Sequence, residues 1–274
     1  MSRLAPLFEK LKQEGRRAVI PYLVAGDPNE ALTVPLMHAL VDAGADIIEV
    51  GVPFSDPMSE GPTIQKAHER ALEGGTSLKS TLALVEDFRS TNATTPLVLM
   101  GYANPLERQG YAYVADACAD AGIDGLITVD LPPEEVAAMN TELQRRELDN
   151  IFLISPTTSD ERVATITQQA SGFIYYVALK GVTGAGNLDT AAVEAHLAII
   201  RAHSDLPVAV GFGIKDAETA ATVAGCADAV VVGSAMVDCI AAQYASESDP
   251  AAATEAAHSL ISTIRTGVNL ATSK

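Results

Sequence analysis

Short, almost entirely apolar runs recur along the whole chain and alternate with helical stretches. Apolar residues fill both faces of each run, which is typical of parallel strands covered by helices on both sides. The predicted strands are Val19–Val24, Asp46–Val50, Pro96–Met100, Gly125–Val129, Asn150–Ile154, Phe173–Val177, Pro207–Gly211 and Asp228–Val232. Eight strands alternating with helices predict a closed (β/α)8 TIM barrel of the α/β class with extra helices, and an open doubly wound sheet is the alternative.

Several of the helical stretches start at a capping residue and stop at glycine. The predicted helices are Glu30–Ala43, Leu78–Ser90, Glu134–Arg146 and Ala191–Ala202, with a short N-terminal helix at about residues 2–14 and an extra C-terminal helix at about residues 251–266. An internal echo precedes three of the strands: Ala43-Gly-Ala-Asp46, Ala121-Gly-Ile-Asp124 and Ala224-Gly-Cys-Ala-Asp228. No boundary to a second domain is visible, so we expect residues 1–274 to form a single domain.

The charge balance excludes two classes of partner. The chain carries 18 Lys and Arg residues against 35 Asp and Glu residues, a formal net charge of −17. Nucleic acids and anionic membrane surfaces both require a basic face, so neither is an expected partner. An anionic substrate must therefore be held by local hydrogen-bond donors rather than by the field of the whole protein.

The cysteines and the apolar runs bear on location. Cys118, Cys226 and Cys239 are widely spaced and form no CxxC motif, which argues against a disulfide framework or a zinc site. The N-terminus lacks the apolar core of a signal peptide, and no apolar run reaches the ~18 residues of a membrane span. We therefore expect a soluble protein of the reducing cytoplasm.

Glu49 is the residue that points most directly to chemistry. Strand parity places it with Ile47 on one face of its apolar run and places Ile48 and Val50 on the other face. In a parallel barrel, the active site lies at the C-terminal ends of the strands, close to this position. A carboxylate in an apolar barrel mouth has a raised pKa, which suits a general acid or base near neutrality. The alternative is a structural ion pair with a Lys or Arg of the barrel.

Glycines follow the last three strands, and a long connection follows the second. Gly184, Gly213 and the pair Gly233-Ser234 can direct backbone N–H groups at an anion, and loops after the seventh and eighth strands bind phosphate in many barrels. For any single glycine, a plain turn is the simpler interpretation. The Gly- and Pro-rich connection over residues 51–77 has the length of a lid or catalytic loop.

Other polar residues near the predicted strand ends are weaker candidates. Lys180 follows the sixth strand and is either a Schiff-base nucleophile or a loop cation. Tyr102 and Tyr175 line the pocket or belong to the core. All histidines fall on predicted helices away from the mouth, which argues against a His triad or a metal site; they are His38, His68, His196, His203 and His258.

One segment of the long connection has a specific pattern. Glu49 followed by Gly51-Val-Pro-Phe-Ser-Asp-Pro-Met-Ser-Glu-Gly-Pro-Thr-Ile-Gln65 closely resembles the signature of the tryptophan synthase α subunit family. The resemblance continues in order through Gly26-Asp-Pro28, Met100-Gly-Tyr-Ala-Asn104, Gly181-Val-Thr-Gly184, Gly211-Phe-Gly-Ile214 and Gly233-Ser-Ala235. It implies a (β/α)8 lyase that cleaves indole-3-glycerol phosphate to indole and glyceraldehyde 3-phosphate in tryptophan biosynthesis. It also implies no cofactor in this chain and an αββα heterotetramer with a β subunit that carries pyridoxal phosphate.

The resemblance assigns roles to individual residues. Glu49 would transfer protons to and from indole C3 and the substrate hydroxyl. Glu60 stands where the family has Asp, on a side chain one methylene longer, and would hydrogen-bond the indole N–H; we expect activity to survive this change. The other matching positions imply phosphate contacts at Gly184, Gly213, Gly233 and Ser234, aromatic-pocket contacts at Tyr22 (Phe in the family), Met100 and Tyr175, and loop closure by Asp56 with Thr183.

Two further hypotheses stay open at this point. The chain could be a catalytically weak ligand-binding subunit that allosterically activates the β subunit, with Glu60 as the reason for its low turnover. It could also be another phosphate-binding barrel, such as a Schiff-base aldolase that uses Lys180.

Overall fold

The strands close into a parallel barrel. The structure, a computed structural model, describes residues 2–178, 190–211, 213–247 and 249–272. The strands are β1 (Ala18–Val24), β2 (Ile48–Gly51), β3 (Leu97–Gly101), β4 (Gly125–Thr128), β5 (Asp149–Ile154), β6 (Ile174–Val177), β7 (Val208–Gly211) and β8 (Ala229–Val232). Each pairs in parallel with its neighbours in chain order, and β8 pairs with β1. The predicted barrel is thus confirmed, and the open sheet is wrong because an open sheet has no bond between first and last strand.

Helices surround the barrel and connect its strands. They are α1 (Leu4–Gln13), α2 (Glu30–Asp42), α3 (Gly61–Glu73), α4 (Leu78–Thr91), α5 (Ala103–Gln109), α6 (Tyr111–Ala121), α7 (Ala137–Arg145), α8 (Asp160–Gln169), α9 (Thr190–His203), α10 (Ala217–Ala224), α11 (Ser234–Glu247) and α12 (Pro250–Thr272). Half of the long connection after β2 is helix α3, and α12 runs past its predicted end at about residue 266. No helix in the described ranges combines the length and the apolar character needed to cross a lipid bilayer.

Alternation along the strands separates two apolar cores. Ile47 packs with the residues inside the barrel, whereas Ile48 and Val50 pack with the helices outside it, as strand parity predicted. Helix α1 covers the N-terminal end of the barrel with Leu4, Phe8 and Leu11, which belong to the inner core. Because α1 closes this end, the C-terminal ends of the strands form the mouth at which a substrate can enter.

Aspartates tie the strands together at the closed end. Asp46 accepts a hydrogen bond from the Val19 N–H, Asp124 from the Leu97 N–H and Asp228 from the Val208 N–H, at 2.9, 2.8 and 3.0 Å. Each of these aspartates ends one of the three sequence echoes, directly ahead of β2, β4 or β8. The echo therefore has a structural function: its carboxylate joins the start of one strand to the start of the strand before it.

Candidate active site

Glu49 lies inside the barrel mouth, and no cation of the described residues pairs with it. It sits on β2 in register with Tyr22 of β1 and Val98 of β3, and its residue surface is only 1% exposed. Its Oε1 atom has no hydrogen-bond partner in the part of the chain that the structure describes. Burial, and secondly the charge of Glu60, raise the pKa of Glu49 from 4.5 to about 8. A structural ion pair would lower this pKa, so the geometry favours the acid–base interpretation.

Glu60 lies at the N-cap position of α3, where the long connection turns into the helix. Its side chain is buried to 5% exposure and reaches toward β1. The Tyr22 hydroxyl donates a hydrogen bond to Glu60 Oε2 at 3.2 Å, and His68 Nε2 lies 3.4 Å from the same oxygen. Burial raises the pKa of the Tyr102 hydroxyl most, and the charge of Glu60 raises it further. The structure therefore brings Glu60 into the mouth with Glu49 and Tyr22.

The expectation that all histidines lie away from the mouth is wrong for His68. This side chain is buried on α3, beside Glu60 and the Tyr22 hydroxyl. The Phe54 N–H donates to His68 Nδ1 at 3.0 Å, so the ring proton is on Nε2. A signal was present in the sequence: the buried face of α3 consists of Ile64, Ala67, His68 and Ala71, at helical spacing, and His68 is its one polar member.

Helix α3 is held above the mouth by the loop after β1. Asp27, which follows β1, accepts a bidentate pair of bonds from Arg70 of α3 at 2.6 and 2.9 Å. Gly26 has a positive φ of 84°, and a Cβ at that position would lie 2.0 Å from the Thr76 hydroxyl. The Gly26-Asp-Pro28 segment therefore brings the end of β1 and helix α3 together, and α3 in turn carries His68.

Two glycines at strand ends make room for tyrosines. A Cβ on Gly51 would lie 2.3 Å from the Tyr22 hydroxyl, and a Cβ on Gly211 would lie 2.4 Å from the Tyr175 hydroxyl. Burial first, and then the charges of Glu49 and Glu60, raise the pKa of Tyr175 well above its usual range. The hydroxyls of both tyrosines thus stay protonated and face the two carboxyl groups.

Met100 and Tyr102 complete the apolar side of the mouth. Met100, on β3, packs against both the inner barrel core and the cluster that contains Tyr22. Tyr102 is buried and stacks on Phe54 with ring centroids 4.9 Å apart. Its hydroxyl accepts the Ser59 N–H at 3.3 Å, which links it to the connection that carries Glu60.

The predicted phosphate site is described only in part. Gly213 is exposed with a positive φ of 43°, and Gly233 with Ser234 starts α11. These residues follow β7 and β8, which pair with each other, so their loops are neighbours at the mouth. Gly184, Thr183 and Lys180 lie outside the described residues.

Asp56, the other half of the predicted loop closure, is exposed on the connection after β2. Its side chain accepts a hydrogen bond from the neighbouring Ser55 hydroxyl at 2.6 Å. Among the described residues, Asp56 thus bonds within its own loop, and its pairing with Thr183 stays a prediction.

The arrangement is suited to proton transfer. A buried carboxyl with a pKa near 8 is protonated at neutral pH and can act as an acid, then as a base once it has lost its proton. Across the described ranges, no three His, Cys, Asp or Glu side chains are grouped closely enough to hold a metal ion.

Comparisons with known proteins identify the family of the chain. A sequence model of the family described as "Tryptophan synthase alpha chain" matches residues 8–265. The chain is 58% identical to the tryptophan synthase alpha chain of Thiobacillus denitrificans over 87% of each chain. It is 56% identical to that of Thioalkalivibrio sulfidiphilus, over 97% of this chain and 98% of the relative. The crystal structure of the subunit from Legionella pneumophila superimposes with a TM-score of 0.91, at 44% identity over 98% and 99% of the two chains. The chain therefore belongs to the tryptophan synthase alpha chain family, the lyases that cleave indole-3-glycerol phosphate in tryptophan biosynthesis.

Proposed function

We propose that Glu49 and Glu60 are the two carboxyl groups that perform the lyase reaction of this family in this chain. Glu49 donates its proton to C3 of the indole ring, which converts the ring into a cationic leaving group. The bond between C3 and the hydroxyl-bearing carbon then breaks, and its electron pair returns to the ring. The hydroxyl becomes the aldehyde of glyceraldehyde 3-phosphate and gives its proton back to Glu49, so that no proton is gained or lost overall.

The observation that supports this proposal most strongly is the state of Glu49. Its carboxyl is buried inside the mouth, Oε1 lacks a described partner, and burial raises its pKa to about 8. An acid whose pKa lies near the working pH can both donate and accept a proton. This reaction requires both, because Glu49 first donates a proton to C3 and then takes one from the hydroxyl. A carboxylate paired with arginine would stay ionised and could not supply the first proton.

Glu60 stabilises the intermediate in this proposal. Positive charge that develops at C3 is shared by the indole nitrogen, and a carboxylate that accepts the indole N–H stabilises it. Glu60 faces the same space as Glu49, and each charge acts on the hydroxyls of Tyr22 and Tyr175. The longer side chain of Glu60 is accommodated because Tyr22 carries a hydroxyl that binds it.

The phosphate of the substrate binds at the opposite side of the mouth in our proposal. Gly213, Gly233 and Ser234 contribute backbone N–H groups there, together with Gly184. The start of α11 adds the positive end of a helix dipole, so an acidic protein can bind an anion without a basic surface. Binding energy from the phosphate orients the bond that breaks.

We also propose that the chain works with a β subunit in an αββα heterotetramer in the cytoplasm. Membership of the family implies the β-subunit partner. The β subunit would hold pyridoxal phosphate and consume the indole, whereas this chain would use no cofactor.

Closure of Asp56 with Thr183 over the substrate would communicate with the partner. A Thr183→Val variant should lose activation by the β subunit, and normal activation of this variant would contradict the closure proposal. The free thiols of Cys118, Cys226 and Cys239 agree with a reducing compartment.

The decisive experiment measures indole release from indole-3-glycerol phosphate, with and without the β subunit of the same organism. The parent chain should form indole, and Glu49→Gln should reduce the rate by at least about 1,000-fold because its amide cannot supply a proton. Glu86→Gln, an equal change on the exposed face of α4, is the matched control and should leave the rate unchanged. A parent that forms no indole but activates the β subunit when substrate is added would instead be a ligand-binding regulatory subunit.

A further inference from the structure

We propose that Tyr22 and His68 are positioning residues, which hold one oxygen of Glu60 and thereby set the direction in which its carboxylate meets the substrate. This inference rests on the proposed function of Glu60. It adds two residues that act on the reaction through Glu60 rather than by touching the reacting atoms.

Three polar atoms form a closed triangle in the mouth. Glu60 Oε2 lies 3.2 Å from the Tyr22 hydroxyl and 3.4 Å from His68 Nε2. The Tyr22 hydroxyl and His68 Nε2 lie 3.4 Å from each other. Both contacts to Glu60 end on the same oxygen, so together they fix the rotation of the carboxylate and with it the direction of Oε1.

Both partners are placed to donate. The Phe54 N–H occupies His68 Nδ1, so the N–H hydrogen of the ring is on Nε2, which lies 3.4 Å from Glu60 Oε2. Burial and the charge of Glu60 raise the pKa of Tyr22 well above its usual range, so its hydroxyl keeps its hydrogen. Both donors thus reach the same oxygen of Glu60.

Both donors are also rigid. The ring of Tyr22 lies against Gly51, where even one added carbon would overlap its hydroxyl. His68 sits on α3, which the bidentate Asp27–Arg70 pair attaches to the end of β1. Glu60 itself has a long side chain with many rotamers, which without these donors would place its carboxylate in several directions. Rigid donors around a flexible carboxylate are what positioning requires.

The test is a double-mutant cycle with indole release from indole-3-glycerol phosphate as the readout, measured with the β subunit present. Tyr22→Phe, which removes one oxygen, should lower kcat about tenfold and change KM by less than about threefold, because the lost bond orients a group that acts in the transition state. Glu60→Asp withdraws the carboxylate by about 1.5 Å, beyond reach of both donors. In that background, Tyr22→Phe should change kcat by less than about twofold.

Variants of His68 give an independent arm. His68→Gln retains an N–H donor near the position of Nε2 and should keep kcat within about threefold of the parent. His68→Leu fills similar space without a donor and should lose about tenfold. If His68→Leu does not fold, as judged by circular dichroism, Tyr22→Phe in the two backgrounds decides alone.

A matched pair outside the barrel provides the control. Tyr176 and His196 stack with ring centroids 5.6 Å apart, on the outer face of β6 and on α9. Tyr176→Phe and His196→Gln should leave kcat unchanged. Equal losses from Tyr22→Phe in the parent and in the Glu60→Asp variant, or a rise in KM with kcat unchanged, would overturn the proposal. A parent that releases no indole would refute the proposed function instead.

Discussion

Asp46 and Glu49 lie at opposite ends of the short run that contains β2, yet their surroundings differ completely. Asp46, at the closed end, accepts the Val19 N–H and pairs with Arg265 and Arg16. Glu49, at the mouth, has no described cation beside it, and its Oε1 atom has no described partner. Both carboxyl groups are buried or nearly so. Burial therefore does not distinguish the carboxyl groups of Asp46 and Glu49, whereas the arginines beside Asp46 do.

The rest of the closed end follows the pattern of Asp46. Asp124 accepts the Leu97 N–H and pairs with Arg3 and Arg89 at 2.9 and 3.1 Å. Asp228 accepts the Val208 N–H and pairs with Arg201 at 3.1 Å. Cations and N–H groups thus replace the water that these carboxylates lose on folding. The mouth instead surrounds Glu60 with the Tyr22 hydroxyl and the His68 ring, and no arginine or lysine of the described residues pairs with it.

The largest expected effect concerns how Glu49, at the mouth, makes the free energy of unfolding depend on pH. A raised pKa means that folded Glu49 keeps its proton while the unfolded chain loses it, between pH 4.5 and about 8. The contribution of Glu49 to stability is complete below pH 4.5 and is lost as the pH rises through about 8. Glu49→Gln has no such loss. The free energy of unfolding of the variant minus that of the parent should therefore rise by about 1.4 kcal/mol per pH unit within this range.

Urea denaturation of both proteins at several pH values measures this difference directly. Relative to the parent, Glu49→Gln should gain up to about 5 kcal/mol of stability between pH 4.5 and pH 8. Glu86→Gln should follow the parent at every pH value. A difference between Glu49→Gln and the parent that does not change with pH would mean that Glu49 ionises normally, and the contrast between the two ends would fail.

The second prediction applies to the closed end. Asp124→Asn removes the charge that compensates Arg89, whose side chain is 10% exposed. Burial, and secondly the charge of Arg3, lower the pKa of Arg89 to about 10. Breaking a buried pair from one side costs about 3 kcal/mol, because the remaining charge stays buried. Urea denaturation should show this loss, whereas kcat of the folded fraction should equal that of the parent. Asp87→Asn, on the exposed surface of α4, is the control and should change neither quantity.

The third prediction concerns shape at the mouth. Gly51→Ala places a Cβ 2.3 Å from the Tyr22 hydroxyl and 2.8 Å from Tyr22 Cζ, so the ring must move away from Glu60. We expect a loss of about 2 kcal/mol in stability together with a fall in kcat. Gly101→Ala, at the end of β3, is the matched control because the nearest atom to its Cβ is Val52 Cβ at an ordinary 3.6 Å. Equal effects of the two substitutions would show that the Tyr22 ring moves away from the added Cβ without loss of stability or activity.

Sequence reasoning predicts the barrel well and its ion pairs poorly, for different physical reasons. The strands follow from local apolar runs, and the inward direction of Glu49 follows from strand alternation, so neither depends on distant residues. The arginine partners of the three echo aspartates lie between 27 and 219 residues away: Arg201 pairs with Asp228 across 27 residues and Arg265 with Asp46 across 219. No spacing rule connects such positions.

His68 shows the same limit at the mouth. Its helix lies in a connection rich in Gly and Pro, where the apolar residues at helical spacing around His68 predict a buried face but not what that face meets. The direction of α3 depends on the Asp27–Arg70 pair, which joins two segments through their tertiary packing. The composition of a helix face can reveal a buried histidine, but only the packing of that face shows which carboxylate it meets.

The smallest expected effect tests whether the stabilisation that each arginine–aspartate pair contributes at the closed end increases with the burial of that pair. Arg201 bonds Asp228 at 3.1 Å and the Cys226 carbonyl at 2.9 Å, but its side chain is 44% exposed. Water compensates both ions there, so Arg201→Gln should cost less than about 1 kcal/mol, and added salt should reduce that cost further. Urea denaturation at low and high salt, beside Asp124→Asn, measures the gradient. A loss as large as that of Asp124→Asn would show that each aspartate of the closed end needs its arginine regardless of solvent. Pairing would then be a requirement of the strand ties themselves, and Glu49, which has no described cation beside it, would differ from them in kind rather than in degree.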